Sequence, residues 1–582
     1  MKRWWKYIKP YLSSFIIGPL CMIVEVIGEI LMPLLLAQVI NGLTGEEGST
    51  FIPLPVGNTV GIMLAMIGIA ILMMLGGVGG AYFGAKASVN FAADLRKDTY
   101  RAVQRFSFAN IDRFSTGSLV TRLTNDVTQI QNFVNMLLRM ALRSPGIMIG
   151  ALIMAIRLNP PLSVVLAVTI PLMIFSIGGL ILLGFTRFRK MQAKIDTMNA
   201  TVQENVTNVR VVKSFVRETH EEGKFNTANT NLKEAGMHAF KVMIFMEPVV
   251  SVIMYGTTLA VIWLGSQRVI NAGMPVGDLN AFITYVTQIL SSLMMVTMLL
   301  MTTSRATVSA RRICEVLDET PDIRDSETAD ASLTVKAGKV EFRDVTFRYY
   351  KNSEDPVLRR VSFTVEAGQT VGIIGSTGCG KTTLISMISR LYDPDEGEVL
   401  VDGVNVRDYT LHNLREGIGV VLQKNTLFSG TIAENLRWGN ENATDEELVK
   451  YCTYAQADKF ISSFPDGYDT VLEQGGTNLS GGQKQRLCIA RAMLKQPKVL
   501  ILDDSTSAVD TATEAQIRHA FATDLPDTTK IIIAQRISSV QDADKIIVMN
   551  EGSITGIGTH GELLKTNTDY LEIYESQTGK GA

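Results

Sequence analysis

Nine consecutive residues in the second half of the chain decide its fold: Gly375-Ser376-Thr377-Gly378-Cys379-Gly380-Lys381-Thr382-Thr383. They fit the pattern G-x-x-x-x-G-K-[ST] in full. The apolar run before them predicts a buried strand, and the run after them predicts a helix. A turn in that position directs backbone N–H groups at phosphates, so we expect it to hold a nucleoside triphosphate. Lys381 would reach the β and γ phosphates, and the Thr382 hydroxyl would bind Mg²⁺.

Composition separates the chain into two halves. Of its 582 residues 46% are hydrophobic, and the long apolar runs lie between residues 12 and 305. Residues 318–582 have the mixed composition of a soluble α/β domain. A net charge of -2 argues against nucleic acid as a partner. The five cysteines have no metal-ligand spacing, which favours a reduced chain that faces the cytosol.

Six apolar runs approach or exceed the roughly 20 residues that cross about 30 Å of hydrocarbon. An even number of spans places the N-terminus and the P-loop domain on the same side of the bilayer. Residues 41–58 contain no Lys or Arg, as expected of an external loop, whereas residues 86–143 are rich in Arg, as expected of a cytoplasmic segment. The N-terminus and the P-loop domain are therefore predicted to be cytoplasmic. We therefore expect a multi-pass protein of the cell membrane. The predicted spans lie near residues 15–40, 58–83, 133–157, 161–185, 243–270 and 279–303.

The segments between spans two and three and between spans four and five are too long for plain loops. Their patterning predicts that the membrane helices continue into the cytoplasm. A polar break at Ser115-Thr116-Gly117 interrupts the first of these extensions. It favours a docking element for the soluble domain, and ordinary helix packing is the alternative.

Two carboxylates lie within the first predicted span. Glu25 and Glu29 are one helical turn apart and face the same side. Ionisable groups at membrane depth are costly, which makes them functional candidates. A carboxylate pair that lines a cavity would favour cationic amphiphiles, whereas a partner such as Arg139, Arg143 or a backbone group would make the pair structural. Both interpretations are open at this point.

The sixth predicted span carries several methionines, Met294 and Met298 among them. Their flexible and polarizable side chains would suit varied apolar ligands. Packing against lipid or against the protein core is the alternative interpretation.

The soluble half contains further candidates at the ends of predicted strands. A polar stretch, residues 318–336, predicts a linker between a membrane domain, residues 1–317, and a soluble domain, residues 337–582. Tyr349 ends an alternating strand and could stack on adenine, although packing is the commoner role there. Asp503 ends a buried strand, where a carboxylate suits Mg²⁺. Gln423 follows another strand and could sense the metal and the attacking water.

A second anion site is predicted at Ser480-Gly481-Gly482, before a helical stretch. One P-loop cannot use this site on its own phosphates. The economical interpretation is a sandwich of two chains, in which each serine and its glycines close over the nucleotide of the other chain.

These motifs, with Ser507-Ala508-Val509-Asp510, resemble the set of ATP-binding-cassette (ABC) transporters. The six spans with long extensions resemble the exporter branch, and the similarity covers essentially the whole chain. The resemblance implies an all-α six-helix transmembrane domain with long cytoplasmic helical extensions, followed by an α/β P-loop nucleotide-binding domain. It implies ATP and Mg²⁺ as cofactors and a dimer in which ATP closes the two nucleotide-binding domains and hydrolysis reopens them.

The resemblance also assigns roles residue by residue. Tyr349 resembles the adenine-stacking aromatic residue and Gln423 the Q-loop glutamine. Ser480 to Gln483 resemble the signature motif, and Asp510 the D-loop aspartate. The metal would be held by Thr382, Asp503 and Gln423.

Two positions depart from the family pattern. Where the catalytic glutamate is usual, this chain has Asp504, and where the switch histidine is usual, it has Gln535. An aspartate carboxylate would lie about 1 Å or more back from the attacking water, and misplacements of that size can cost on the order of 10²-fold. Glutamine cannot carry the positive charge of a protonated histidine.

The two departures together resemble the degenerate half of heterodimeric exporters. We therefore expect an ATP-hydrolysing exporter subunit for amphiphilic, drug-like compounds, whose own site is slow. Its signature would complete the active site of a similar half-transporter that keeps the glutamate and the histidine. A lipid or peptide exporter and an ATP-gated channel or regulator are the alternatives.

Overall fold

The computed structural model describes residues 2–45, 59–271, 273–350, 354–504 and 509–578. The chain divides into two compact units. The first contains residues up to Val103 together with Gly117–Asp318, and the second contains Gln104–Thr116 together with the chain from Glu319 onward. Residue 58, at the start of the second predicted span, and Ser507 and Ala508 of the predicted D-loop lie outside the described residues.

The first unit is helical, because a segment in hydrocarbon satisfies its backbone polar groups only through regular internal hydrogen bonds. Among the described residues, six helical stretches are long and apolar enough to cross a membrane. The prediction of six apolar spans is confirmed at this level. The helices before residue 319 are α1 (Lys2–Ile8), α2 (Leu12–Thr44), α3 (Thr59–Gln104), α4 (Phe108–Phe114), α5 (Thr116–Thr121), α6 (Val127–Met140), α7 (Arg143–Leu158), α8 (Val164–Thr207), α9 (Val209–Ser214), α10 (Glu218–Ile244), α11 (Met246–Ile270) and α12 (Val276–Asp318).

The core of the first unit forms around α12, which packs against α2, α6 and α7. Its residues Phe282, Tyr285 and Leu290 are completely buried. The Tyr285 hydroxyl donates a hydrogen bond of 2.6 Å to the backbone oxygen of Ile30 in α2. The polar end of this tyrosine is therefore satisfied inside an apolar core, as burial requires.

A buried polar contact joins the C-terminal end of α2 to the N-terminal end of α12. The Asn41 side chain donates to Asp278 over 3.0 Å and accepts from the backbone N–H of Gly277 over 2.8 Å. A Cβ at position 277 would overlap the backbone oxygen of Ala37, so only glycine permits this approach of the two helices. The contact fixes the register of the two helices.

The third predicted span, near 133–157, is not one uninterrupted helix. It is divided between α6 and α7 by a turn at Ala141 and Leu142. A π-helical turn, Arg122–Asp126, precedes α6. The buried Asp126 at the end of this turn accepts a hydrogen bond of 2.7 Å from Ser309 of α12.

The second unit contains a parallel sheet covered by helices and a smaller antiparallel sheet. In the described residues the larger sheet has the order β12-β11-β3-β10-β9-β6, and only β12 is antiparallel to its neighbour. Every residue of β9 and β10 is buried, as expected for the central strands of such a sheet. The strands are β1 (Val340–Phe347), β2 (Leu358–Val365), β3 (Thr370–Gly375), β4 (Glu396–Val401), β5 (Val404–Asn405), β6 (Ile418–Val421), β7 (Gly430–Thr431), β8 (Val471–Leu472), β9 (Val499–Asp503), β10 (Thr529–Ile533), β11 (Lys545–Asn550) and β12 (Ser553–Gly558).

The parallel pairing decides where the functional loops meet. Strands β3, β10, β9 and β6 are neighbours that run in the same direction, so the loops after their carboxyl ends lie at one edge of the sheet. Those loops carry the glycine-rich turn and Gln423, Asp504 and Gln535. The helices of this unit are α13 (Lys381–Ile388), α14 (Leu411–Glu416), α15 (Ile432–Arg437), α16 (Asp445–Tyr454), α17 (Asp458–Ile461), α18 (Gly481–Leu494), α19 (Thr511–Asp524), α20 (His560–Thr566) and α21 (Thr568–Thr578).

The short helix α4 belongs to the second unit, although the chain on both sides of it belongs to the first. The side chains of Asn110 and Arg113 contact the Glu319 carboxylate at 2.9 and 3.0 Å. The Phe108 ring lies 6.3 Å from the ring of Tyr392. The polar break at Ser115–Gly117 thus ends a helix that packs with the nucleotide-binding unit, which supports its interpretation as a docking element.

Candidate nucleotide site

The glycine-rich turn connects β3 to α13, as the sequence predicted. Gly378 and Gly380 adopt φ angles of +85° and +98°, a region that residues with a Cβ rarely occupy. A Cβ on Gly380 would also lie 2.8 Å from the Leu358 side chain. The turn therefore depends on these glycines, and it presents the N-terminus of α13, with its free N–H groups, to the carboxyl edge of the sheet.

Lys381 bends back over this turn. Its Nζ donates to the backbone oxygens of Gly375 at 2.9 Å and Ser376 at 2.8 Å, and it lies 3.7 Å from Sγ of the buried Cys379. An ammonium group so placed is available to phosphate oxygens that enter the loop.

The residues at the predicted magnesium position fit that ion. The Thr382 hydroxyl donates to Asp503 over 2.9 Å, and both groups offer the hard oxygen ligands that Mg²⁺ prefers. Asp503 is only 2% exposed, and its burial raises the pKa of the carboxyl group, an effect opposed by the Thr382 hydrogen bond. A bound dication would compensate the cost of burying this carboxylate.

Asp504, at the usual position of the catalytic base, is held by two glutamines. Nε2 of Gln535 donates to Oδ2 of Asp504 over 2.7 Å, and the Gln423 side chain also hydrogen bonds this carboxylate. Burial raises the pKa of Asp504, whereas the two glutamines and the charges of Lys381 and Arg536 lower it. Gln423 and Gln535, from two different loops, therefore converge on the carboxylate of Asp504, which lies in a third loop.

The backbone of Asp504 is strained. Its φ angle of +46° lies in the left-handed region, which costs a residue with a side chain of order 1–3 kcal/mol. The Asp504 N–H donates to the backbone oxygen of Ile533 over 3.0 Å, so pairing with β10 maintains this conformation. Strain at the end of a central strand is common at functional positions.

Tyr349 lies beside the glycine-rich turn but is part of an aromatic cluster. Its hydroxyl lies 2.8 Å from the Thr383 hydroxyl, and its ring meets the rings of Phe347 and Tyr392 edge-on at 5.0 and 5.2 Å. Tyr349 is 45% exposed. Tyr392, which also contacts Phe108 of α4, was missed by the sequence analysis because an isolated aromatic residue between a helix and a strand carries no distinguishing pattern.

The predicted signature residues begin α18. Ser480 accepts from the N–H of Gln483, and the Gln483 side chain accepts from the N–H of Ser480, which forms a capping box around Gly481 and Gly482. Asp510 caps α19 in a similar way, and hydrogen bonds from Thr513 lower the pKa of its carboxyl group. No hydrogen bond joins residues 480–483 to residues 375–383 in the described part of the chain.

Glu25 and Glu29 share one cationic partner. Nη2 of Arg143 lies 3.1 Å from Glu25 and 2.6 Å from Glu29, and the Gln288 side chain donates to the backbone oxygen of Glu29 over 3.0 Å. Of the alternatives left open above, the structure therefore provides Arg143. One guanidinium balances only one of the two carboxylates. Met294 and Met298, on the same helix as Gln288, are 36% and 64% exposed.

Six apolar helices followed by a P-loop sheet domain with these loops define an ABC transporter subunit. Residues 15–293 match the family model for the ABC transporter transmembrane region, and residues 358–507 match the model for the ABC transporter. The chain belongs to the ABC transporter family. It is an ABC exporter half-transporter and a multi-pass membrane protein, and its ATP-binding domain implies transport coupled to ATP hydrolysis.

Related proteins match over the whole chain. An uncharacterized ABC transporter ATP-binding protein of Bacillus subtilis (strain 168), YfiB, is 39% identical to this chain. The alignment covers 100% of this chain and 99% of YfiB. An ATP-dependent lipid A-core flippase of Aromatoleum aromaticum is 32% identical over 98% of this chain and 95% of its own length. The solved structure of a bacterial Atm1-family ABC exporter with ATP bound is 26% identical, with a TM-score of 0.78 over 98% of this chain and 99% of that one.

Replacing Gln535 with alanine should change the pH dependence of ATP turnover: the decline in rate at acid pH should begin at a higher pH. Asp504 acts as a base only when it is ionised, and the Gln535 hydrogen bond favours the ionised form, so its loss raises the pKa that turnover must exceed. The measurement is the pH dependence of turnover at saturating Mg-ATP. Gln541→Ala, an exposed glutamine after the same segment, is the control. An unchanged pH dependence would show that Gln535 does not act on Asp504.

Arg143→Met should destabilise the protein by about 3–5 kcal/mol, because it leaves two carboxylates without a partner inside the helical unit. Denaturant unfolding of the purified chain in lipid nanodiscs measures this change. The triple variant Glu25→Gln, Glu29→Gln, Arg143→Met removes all three charges and should recover most of the loss. If Arg143→Met alone is as stable as the wild type, the triad is not a structural ion pair.

Proposed function

We propose that this chain is one subunit of a heterodimeric, ATP-driven exporter of amphiphilic compounds, and that its own nucleotide site hydrolyses ATP slowly. The observation that carries the proposal is the contact between Asp504 and Gln535. Both family positions that promote hydrolysis are replaced, and the two replacements are bonded to each other. The shortened carboxylate thus accepts hydrogen bonds from glutamine amides, which hold it in place and oppose the rise in its pKa that burial causes.

ATP binding at this site is supported by groups that do not depend on Asp504. The N–H groups at the start of α13 and the Lys381 ammonium would hold the phosphates, and Tyr349 would face the adenine. Thr382, Asp503 and Gln423 would hold Mg²⁺, which when bound screens the negative charge of the phosphates. Binding with slow turnover is therefore the expected behaviour of this pocket.

A partner chain is supported by the position of the signature residues. Ser480, Gly481 and Gly482 form a capped helix N-terminus that makes no hydrogen bond to the glycine-rich turn of its own chain. Such an N-terminus suits an anion. In the proposed heterodimer it closes over the ATP of a homologous half-transporter that keeps the glutamate and the histidine. Fast hydrolysis then occurs at that second site.

The proposed orientation follows the charge of the loops. The N-terminus and the nucleotide-binding unit lie in the cytoplasm of a cell whose plasma membrane contains the six spans, because Arg-rich segments stay on the cytoplasmic side. Substrate is taken from the inner side or from the bilayer and released outward by alternating access. ATP closes the paired nucleotide-binding domains, and hydrolysis reopens them.

The proposed substrate is cationic and amphiphilic. In the Glu25–Arg143–Glu29 triad two carboxylates share one guanidinium, so acidic groups outnumber basic ones. A positively charged headgroup would be favoured beside it, and flexible methionines such as Met294 and Met298 would accommodate varied apolar parts. A lipid substrate is the second candidate, since one full-length relative is named as a lipid A-core flippase.

The site proposal is tested by restoring the two usual residues. Asp504→Glu with Gln535→His should raise the ATP turnover of the purified chain by about 10²-fold, because the carboxylate regains about 1 Å of reach and a cation can face the γ-phosphate. Steady-state phosphate release measures the gain. Lys381→Ala in the same background should abolish it. If the purified wild-type chain alone turns over ATP as fast as the double variant, the proposal that its own site is impaired is refuted.

The substrate proposal is tested in that Asp504→Glu, Gln535→His background. Adding Glu29→Gln should raise the concentration of a cationic amphiphile needed for half-maximal ATPase stimulation by about tenfold, because one attractive charge is lost. Stimulation by an uncharged amphiphile of similar size should not change. Stimulation by acidic glycolipid alone, with no response to cations, would favour lipid export instead.

A further inference from the structure

The segment that carries Gln535 is held from both sides. On one side the Gln535 side chain donates to Asp504 over 2.7 Å. On the other side the backbone oxygen of Gln535 accepts a hydrogen bond of 2.7 Å from Nε2 of Gln577. The Oε1 atom of the same Gln577 accepts a hydrogen bond of 2.9 Å from the N–H of Ile537. One amide therefore uses both its donor and its acceptor on the backbone that flanks Gln535.

Gln577 is well placed for this because helix α21 is anchored to the nucleotide-binding unit. Tyr570 at its start is completely buried, and its hydroxyl lies 2.7 Å from Nδ1 of His560. The Tyr570 N–H donates to Asn567, whose side-chain amide donates to the backbone oxygen of Thr555 in β12. The helix therefore offers Gln577 a fixed base from which to hold the loop.

Helix α21 also borders the nucleotide loop. A cavity of about 490 Å³ lies between residues 375–377 of the glycine-rich turn, Gln535, and the side of α21 that carries Glu572 and Ser576. The helix thus forms one wall of the space beside the phosphate turn, at the edge of the sheet where the other functional loops meet.

We propose that Gln577 is a positioning residue of the ATP site: it fixes the segment from Gln535 to Ile537 so that the Gln535 amide keeps its hydrogen bond to Asp504. The inference rests on the proposed function only in assigning Asp504 as the carboxylate that faces the attacking water. The last helix of the chain is then part of the machinery that sets the turnover rate, although it contributes no group to the nucleotide.

The hydrogen bonds of Gln577 and Gln535 follow one another, which allows this role to be measured. Gln577 donates to the backbone oxygen of Gln535, and the Gln535 side chain donates to Asp504. Removing Gln577 should therefore change kcat by the factor that Gln535→Ala produces. The KM for Mg-ATP should stay unchanged, because the substitution leaves the glycine-rich turn and Lys381 in place.

The experiment uses the full-length chain in lipid nanodiscs and three variants. Gln577→Ala removes both hydrogen bonds, Gln577→Glu keeps the acceptor for Ile537 but loses the donor to Gln535, and Glu575→Ala on the same exposed helix surface is the control. The first readout is amide hydrogen exchange at Ile537. We expect exchange about tenfold faster in Gln577→Ala and wild-type protection in Gln577→Glu and the control.

The second readout is kcat and KM of ATP turnover, followed over hours at varied Mg-ATP. Both Gln577 variants should change kcat in the same direction as Gln535→Ala and leave KM unchanged, and the control should change neither. The double variant Gln535→Ala, Gln577→Ala should change kcat no further than Gln535→Ala alone, because both changes act through one hydrogen bond. A merely structural loss of stability would not produce this non-additive pattern.

Wild-type protection of Ile537 in Gln577→Ala, or changes in kcat that multiply in the double variant, would overturn the proposal. If the wild-type chain turns over ATP rapidly, the impaired site is refuted while both readouts still test Gln577. If no variant turns over ATP, even with Asp504→Glu and Gln535→His, the proposed function fails, and exchange at Ile537 alone decides whether Gln577 holds the segment.

Discussion

The constraint on which the nucleotide site depends is the parallel pairing of β3, β10, β9 and β6. Ile533 lies opposite Asp503 on one side and Ile373 on the other, so β10 and β9 end level and β3 extends two residues further. The loops that carry the glycine-rich turn, Gln423, Asp504 and Gln535 then begin at one edge of the sheet. Hydrogen bonds across this edge need only side chains of ordinary length, since the backbone has already brought the loops together.

At that edge the polar groups bond to one another. Thr382 bonds to Asp503, Gln535 and Gln423 bond to Asp504, and Lys381 bonds to the carbonyls of its own turn. A buried carboxylate without partners would be costly, so each of these contacts stabilises the fold. The same contacts act on the pKa of Asp504, because hydrogen bonds from the two glutamines favour its ionised form and oppose the effect of burial, which raises that pKa.

The helical unit uses the same principle where water is scarce. Some of its polar side chains are linked across helices, as Asn41 is to Asp278 and Arg143 is to two glutamates. These links specify which helix faces meet, a choice that apolar surfaces alone leave open. The structural and functional interpretations of Glu25 and Glu29 overlap at this triad, because a single guanidinium contacts both carboxylates.

The sequence by itself determined the six apolar helices, the P-loop between strand and helix, and the identity of Asp504 and Gln535, since each rests on local pattern or on position within a motif. It left open whether Glu25 and Glu29 had a partner, and it gave no sign of Tyr392 or Gln577. Those residues matter through contacts with parts of the chain more than 40 positions away, as Gln577 does with Gln535. Only the tertiary structure revealed the contacts of these residues. A glutamine in a helix carries no distinguishing sequence pattern, and its role depends on which backbone groups the fold places within hydrogen-bonding distance.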